Sequence, residues 1–135
     1  MTVFVDTAAL YALLDEDDRF HEQVVAWFAS VGADPDLALV THSYVVIEAT
    51  ALMPPRLGGR ALRVLLDDLL PAVAVAFVDE PLHRRAVSAY LAGLSRGSSF
   101  VDRVSFEFMR DQAITTAFTL DADFSDEGFT IVPST

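Results

Sequence analysis

Asp6 closes an apolar run, Val3-Phe4-Val5, and three more acids sit in similar company far downstream. Glu48 lies inside Val45-Val46-Ile47-Glu48-Ala49-Thr50-Ala51-Leu52, Asp102 follows Phe100-Val101, and Asp121 follows Thr119-Leu120 with Asp123 two residues on. A carboxylate on an apolar element is costly to bury unless a cation compensates it. Two like charges about 5 Å apart repel by roughly 3 kcal/mol at an effective dielectric near 20, so acids converging on one pocket would strain a marginally stable domain. A divalent cation reverses the sign of that effect. Hard oxygen donors, with no His or Cys in the set, favour Mg²⁺ or Mn²⁺ over zinc. Such an ion activates water and steadies the attacking and leaving oxygens of a phosphoryl group, which points to a metal-dependent nuclease.

Each acid also has a structural alternative. Asp6 can cap the helix that follows it by accepting from the backbone N–H of Ala8 or Ala9. Glu48 shares a helix face with Val45, Ala49 and Leu52, so a buried, protonated glutamate is the competing reading. Asp102 stands three residues after Ser99, as in a capping box at the start of a helix. Asp121 and Asp123 suit a solvated turn after a strand. Only the combination of all of them favours a shared ion.

The elements that would carry these acids alternate between buried strands and amphipathic helices. Residues 3–6 read as a strand and 7–14 as a helix, followed by a polar turn at 15–18. Phe20, Val24, Trp27, Phe28 and Val31 recur at helical spacing over 19–31, with Gly32 placed to stop that helix. A strand over 37–41 leads to a helix from Ser43, a plausible cap, to Met53, which Pro54-Pro55 should end. Further helices fit 59–70, 81–94 and 99–112, and further strands 73–78, 114–120 and 129–132. This alternation implies a three-layer α/β/α architecture around a mostly parallel sheet of four to five strands. In such sheets, sites form at the carboxyl ends of strands, where Asp6 and Asp121 fall.

A length of 135 residues with 53% hydrophobic content fits one compact domain over 1–135. No apolar run approaches the roughly 18 to 20 residues of a membrane span, and the start has no basic leader, so a cytoplasmic protein is expected. The net charge of -11 opposes binding of nucleic acid by overall field, so any RNA contact must be local. All nine basic residues are arginines. They cluster at Arg56/Arg60/Arg63, Arg84/Arg85 and Arg96/Arg103/Arg110, and the planar fork of arginine suits phosphate. His21, His42 and His83 read as surface residues. No Ser-centred Gly-x-Ser-x-Gly turn occurs and no glycine-rich phosphate loop follows the first strand, so serine-hydrolase and dinucleotide-cofactor readings lose most of their support. A phosphoacceptor receiver would need a lysine, and a haloacid-dehalogenase-type phosphatase would need Asp where Ala8 stands.

Four segments together resemble a known family. Val3-Phe4-Val5-Asp6-Thr7-Ala8-Ala9-Leu10 resembles the opening signature of PIN domains, Ser43-Tyr44-Val45-Val46-Ile47-Glu48 their second motif, Ser99-Phe100-Val101-Asp102 their third, and Thr119-Leu120-Asp121-Ala122-Asp123-Phe124 their fourth. The helix bearing His21, and Met109 after the third acid, resemble the VapC-like toxin branch. The resemblance implies a Mg²⁺- or Mn²⁺-dependent endoribonuclease that acts on structured RNA of the transfer or ribosomal class and is held inactive by a small antitoxin protein. It implies Asp6, Glu48, Asp102 and Asp121 as metal ligands, with Asp123 as an alternate or supporting acid, and Thr7 and Thr119 as neighbouring hydroxyls. A homodimer paired through helices is expected on the same ground. Arg96, Arg103 and Arg110 are the candidate phosphate contacts. The competing expectation is a PIN-like binding module with weak or lost cleavage that mainly docks a protein partner.

Overall fold

The computed structural model describes residues 1–134, so Thr135 of the expected 1–135 domain lies outside the described residues. Five strands form one sheet in the order β3-β2-β1-β4-β5, and every neighbouring pair is parallel. They are β1 (Thr2–Val5), β2 (Ala38–His42), β3 (Ala74–Ala76), β4 (Thr116–Phe118) and β5 (Thr130–Val132). Parallel neighbours require crossovers, and the helices α1 (Thr7–Leu14), α2 (His21–Gly32), α3 (Ser43–Val64), α4 (Glu80–Ala92) and α5 (Phe100–Asp111) supply them. A four-residue helix, α6 (Asp123–Asp126), occupies what the sequence suggests is a turn.

Both faces of the central strand are covered, which is why Val3-Phe4-Val5 is apolar throughout and fully buried. Phe4 stacks against Phe124 of α6 and His42 of β2 and meets Phe108 of α5 at a tilt. Phe118 meets Trp27 and Phe28 of α2, with ring centroids 4.4 and 6.4 Å apart. Successive strand residues point to opposite faces, so the pairing of Phe4 with Ala117 and of Val5 with Phe118 sets these clusters on opposite sides of the sheet. The result is three layers. No helix is long and apolar enough to cross a membrane among the described residues.

Two features depart from the expected pattern. The helix after β2 does not stop at Met53; it runs through Pro54 and Pro55 and breaks at Gly58, whose φ of 84° and ψ of 172° suit a residue without a Cβ. Proline's fixed φ is helical, and both prolines are exposed, so water can reach the carbonyls that lose a helical donor. The expected helix over 59–70 divides into an α-helical part, a π-helical turn at Leu65–Leu69 and a 3₁₀ turn at Leu70–Ala72, where Pro71 offers no N–H to continue the ladder.

None of the histidines is a surface residue. His42 is fully buried: its Nδ1 accepts from Val45 N at the start of α3, so Nε2 carries the proton and donates to Ser105 Oγ at 2.8 Å. The Ser105 hydroxyl then donates to Val101 O. Burial pushes the His42 imidazole down to about 4 from its ordinary 6.5. The unfolded chain therefore takes up this proton first, and stability is lost as pH falls from about 6.5 to about 4. His42→Ala should cost about 3 kcal/mol in urea unfolding, because it opens a cavity and unpairs the Val45 amide. His21 and His83 are half-buried, bonded to Ala12 O and Tyr44 Oη respectively.

Candidate metal centre

The strand order reverses direction at β1: β2 and β3 follow on one side of it, β4 and β5 on the other. Open parallel sheets bind ligands at the carboxyl end of such a switch point. Val5 pairs with Phe118, so the next residue on each strand, Asp6 and Thr119, emerges there side by side. Thr119 Oγ1 donates to Asp6 Oδ2 at 2.8 Å, and the same oxygen accepts from Asp121 N at 3.0 Å. The buried Thr119 hydroxyl thus ties the Asp6 carboxylate, just past β1, to the backbone of Asp121, three residues past β4. Asp121 Oδ1 in turn accepts from Asp123 N at 2.9 Å.

The helices deliver the other two acids. Val45, Ala49 and Met53 form the buried stripe of α3, and Glu48 sits at its edge with Leu52 one turn on. Asp102 lies in the first turn of α5. Ser99 Oγ accepts from Asp102 N while Asp102 Oδ2 accepts from Ser99 N, so the capping box exists and also fixes this acid in place. The capping and clustering readings of Asp102 are therefore compatible. Asp6 occupies the cap position of α1, yet its side chain makes no cap hydrogen bond and accepts from Thr119 Oγ1 instead, on the side of the other acids.

Asp6, Glu48, Asp102 and Asp121 line one cavity of about 320 Å³ with Thr7, Ala8, Tyr11, Leu52, Arg56 and Ser99. Carboxylate oxygens of Asp102, Asp121 and Asp123 all lie within 4.8 Å of one another. Burial raises the Asp6 carboxyl to about 7 from 3.8; the Thr119 hydrogen bond opposes this, and the charges of Asp102 and Asp121 add to it. Asp102 rises to about 6, first by burial and then through Asp121 and Glu48, against the bonds from Ser99. The buried Thr7 Oγ1 has no hydrogen-bond partner. Crowded hard-oxygen donors, two of them with raised pKa, and an unpartnered hydroxyl on the wall fit a divalent cation with attached water.

The three arginines expected to meet phosphate gather around Glu127. Arg103 is buried, its Nη1 3.0 Å from Glu127 Oε1 and its guanidinium over the Phe106 ring. It packs so closely on Gly93 that a Cβ there would fall 3.3 Å from its Nη2. Arg110 bonds the other Glu127 oxygen at 2.8 Å, and Arg96 stands 3.9 Å from the first. Burial favours a raised Glu127 carboxyl, but the hydrogen bond from Arg110 and the charge of Arg103 outweigh it and hold this acid below its usual range. Glu127 engages all three arginines, and Arg103 in particular is inaccessible to a phosphate. The cavity holds a different one, Arg56 of the Arg56/Arg60/Arg63 cluster, along with Tyr11, which carries no signal of its own in the sequence.

This chain belongs to the PIN domain family, whose model matches residues 3–129. It is 33% identical over 128 residues to the 23S rRNA-specific endonuclease VapC20 of Mycobacterium tuberculosis strain H37Rv, covering 94% of this chain and 95% of the relative. The crystal structure of Mycobacterium tuberculosis VapC20, a sarcin–ricin loop cleaving toxin, matches with a TM-score of 0.83 at 32% identity over 95% of this chain and 96% of that one. FitAcB from Neisseria gonorrhoeae matches at TM-score 0.68 and 20% identity, over 97% and 96% of the two chains, a likeness of fold alone.

Proposed function

We propose that this chain is a metal-dependent endoribonuclease, the toxin of a toxin–antitoxin pair, cutting structured RNA of the ribosomal class. The observation that carries this reading is the convergence of acids from β1, α3, α5 and the segment after β4 on one cavity at the sheet's switch point. The likeness to a 23S rRNA-specific relative supports the substrate class.

In this reading Asp6, Glu48, Asp102 and Asp121 hold Mg²⁺ or Mn²⁺, with Asp123 a further ligand or support. When bound, the ion would lower the pKa of water and offset charge on the scissile phosphate. The chain's own residues set the geometry. Thr119 ties the Asp6 carboxylate to the Asp121 backbone, Ser99 orients Asp102, and Thr7 lines the cavity beside them. A small antitoxin protein as inhibitor, a homodimer paired through helices and a cytoplasmic setting belong to the same proposal.

The test is incubation of the purified chain with an RNA hairpin carrying the 23S sarcin–ricin loop. Cleavage with Mn²⁺ and none with EDTA is expected. A chain that binds neither Mg²⁺ nor Mn²⁺ up to millimolar concentration in calorimetry would instead be a docking module.

A further inference from the structure

We propose that Arg56, seated over Tyr11 at the rim of the carboxylate cavity, is the contact that holds a phosphate of the RNA backbone next to the one being cut. This rests on the nuclease reading above. A polyanion meeting a chain of net charge -11 must gain its affinity from local cations, and one beside the chemistry also positions the phosphate there. Arg84 is engaged by Glu80, Arg85 by Asp111, and Arg96, Arg103 and Arg110 by Glu127. Arg19 lies over Phe20, 4.5 Å from the ring centroid, and Arg60 and Arg63 do not line the carboxylate cavity. Among the described residues Arg56 is the one arginine on that cavity's wall, and it makes no ion pair with the acids it faces.

Its place follows from the helix that the prolines fail to stop. Glu48, Leu52 and Arg56 stand at i, i+4 and i+8 on α3, and all three line the cavity. Helical side chains lean toward the N-terminal turn, so the guanidinium leans back from Arg56 toward Glu48. Tyr11, one turn after Thr7 on α1, lies beneath it with the guanidinium carbon 5.9 Å from the ring centroid. An aromatic face under the guanidinium leaves its N–H edge available for two phosphate oxygens, a geometry a lysine ammonium lacks. Pro54 and Pro55 stiffen the preceding turn, and α3 breaks at Gly58 two residues later, so Arg56 lies in the last turn before the break, on the cavity rim.

The experiment measures Mn²⁺-dependent cleavage of the sarcin–ricin hairpin by the full chain and by Arg56→Ala, Arg56→Lys and Tyr11→Leu variants, across a series of salt concentrations, with Mn²⁺ affinity by calorimetry. Arg56→Ala should raise KM about tenfold and lower the logarithmic salt slope by about one, the loss falling in KM rather than kcat, with Mn²⁺ affinity unchanged. Arg56→Lys should restore the salt slope but only part of the affinity, and Tyr11→Leu should raise KM by a smaller factor. If wild type cleaves and Arg56→Ala keeps its KM and salt slope, the assignment is overturned. It is likewise overturned if Arg56→Ala shifts Mn²⁺ affinity as much as KM, since Arg56 would then act on the acids instead of the RNA. Wild type that cuts no RNA with Mn²⁺ removes the nuclease reading itself, and this contact with it.

Discussion

Replacing Asp6 or Asp102 by Asn is expected to lower Mn²⁺-dependent RNA cleavage by about 10³-fold in kcat/KM, about 4 kcal/mol of transition-state stabilisation. The substitutions are close to isosteric, and an amide oxygen can still accept from Thr119 Oγ1 at position 6 or from Ser99 N at position 102. The fold should therefore persist, and circular dichroism would check it. What disappears is the charge: an amide oxygen is a far weaker ligand for a hard divalent ion than a carboxylate. Asp17→Asn, in the exposed turn after α1, serves as the control and should cleave like wild type. Cleavage retained in both Asp6→Asn and Asp102→Asn would mean that the cavity is not where the phosphodiester is cut.

Legibility in the sequence followed whether a signal was local. Val3-Phe4-Val5 is apolar without alternation because β1 is central and covered on both faces. Ser99 announces α5 through its own capping geometry. The acids stood out because a charge in an apolar run contradicts its surroundings. The rest depended on tertiary partners. His42 looks like a polar residue before a helix, and only the fold shows Phe4 stacked on it and Ser105, 63 positions away, as its bonding partner. Arg103 looks like a surface cation one residue after Asp102; Glu127 and Gly93 make the buried site that takes it. Arg56 shares a stripe with Glu48 at i+8, a relation that exists only because α3 runs past Met53. Local proline chemistry suggested that end, but exposure of both prolines lets the helix continue.

Without metal, the same acids should weaken the protein as pH rises. Asp6 has a folded pKa of about 7 against an ordinary 3.8, so the folded state holds its proton more tightly than the unfolded chain does. The stability this provides is fully present below about pH 4 and is lost as pH rises through 7. At 1.36 kcal/mol per pKa unit the loss is on the order of 4 kcal/mol. Asp102, raised to about 6, acts in the same direction, while His42 acts oppositely but only between about 6.5 and 4. Above pH 6.5 the acids are therefore unopposed, and urea unfolding in EDTA should show stability falling from pH 6.5 to pH 8. Asp6→Asn removes most of that slope. At pH 8 in EDTA the variant should be more stable than wild type by about 2 to 3 kcal/mol, part of the gain being offset by a buried amide that needs its own partners. Mn²⁺ should reverse the order, raising the wild-type Tm by mass action and leaving the variant nearly unmoved. An Asp6→Asn chain no more stable than wild type at pH 8 without metal would show that Asp6 bears no electrostatic strain, and the physical case for a cation at the switch point would fail with it.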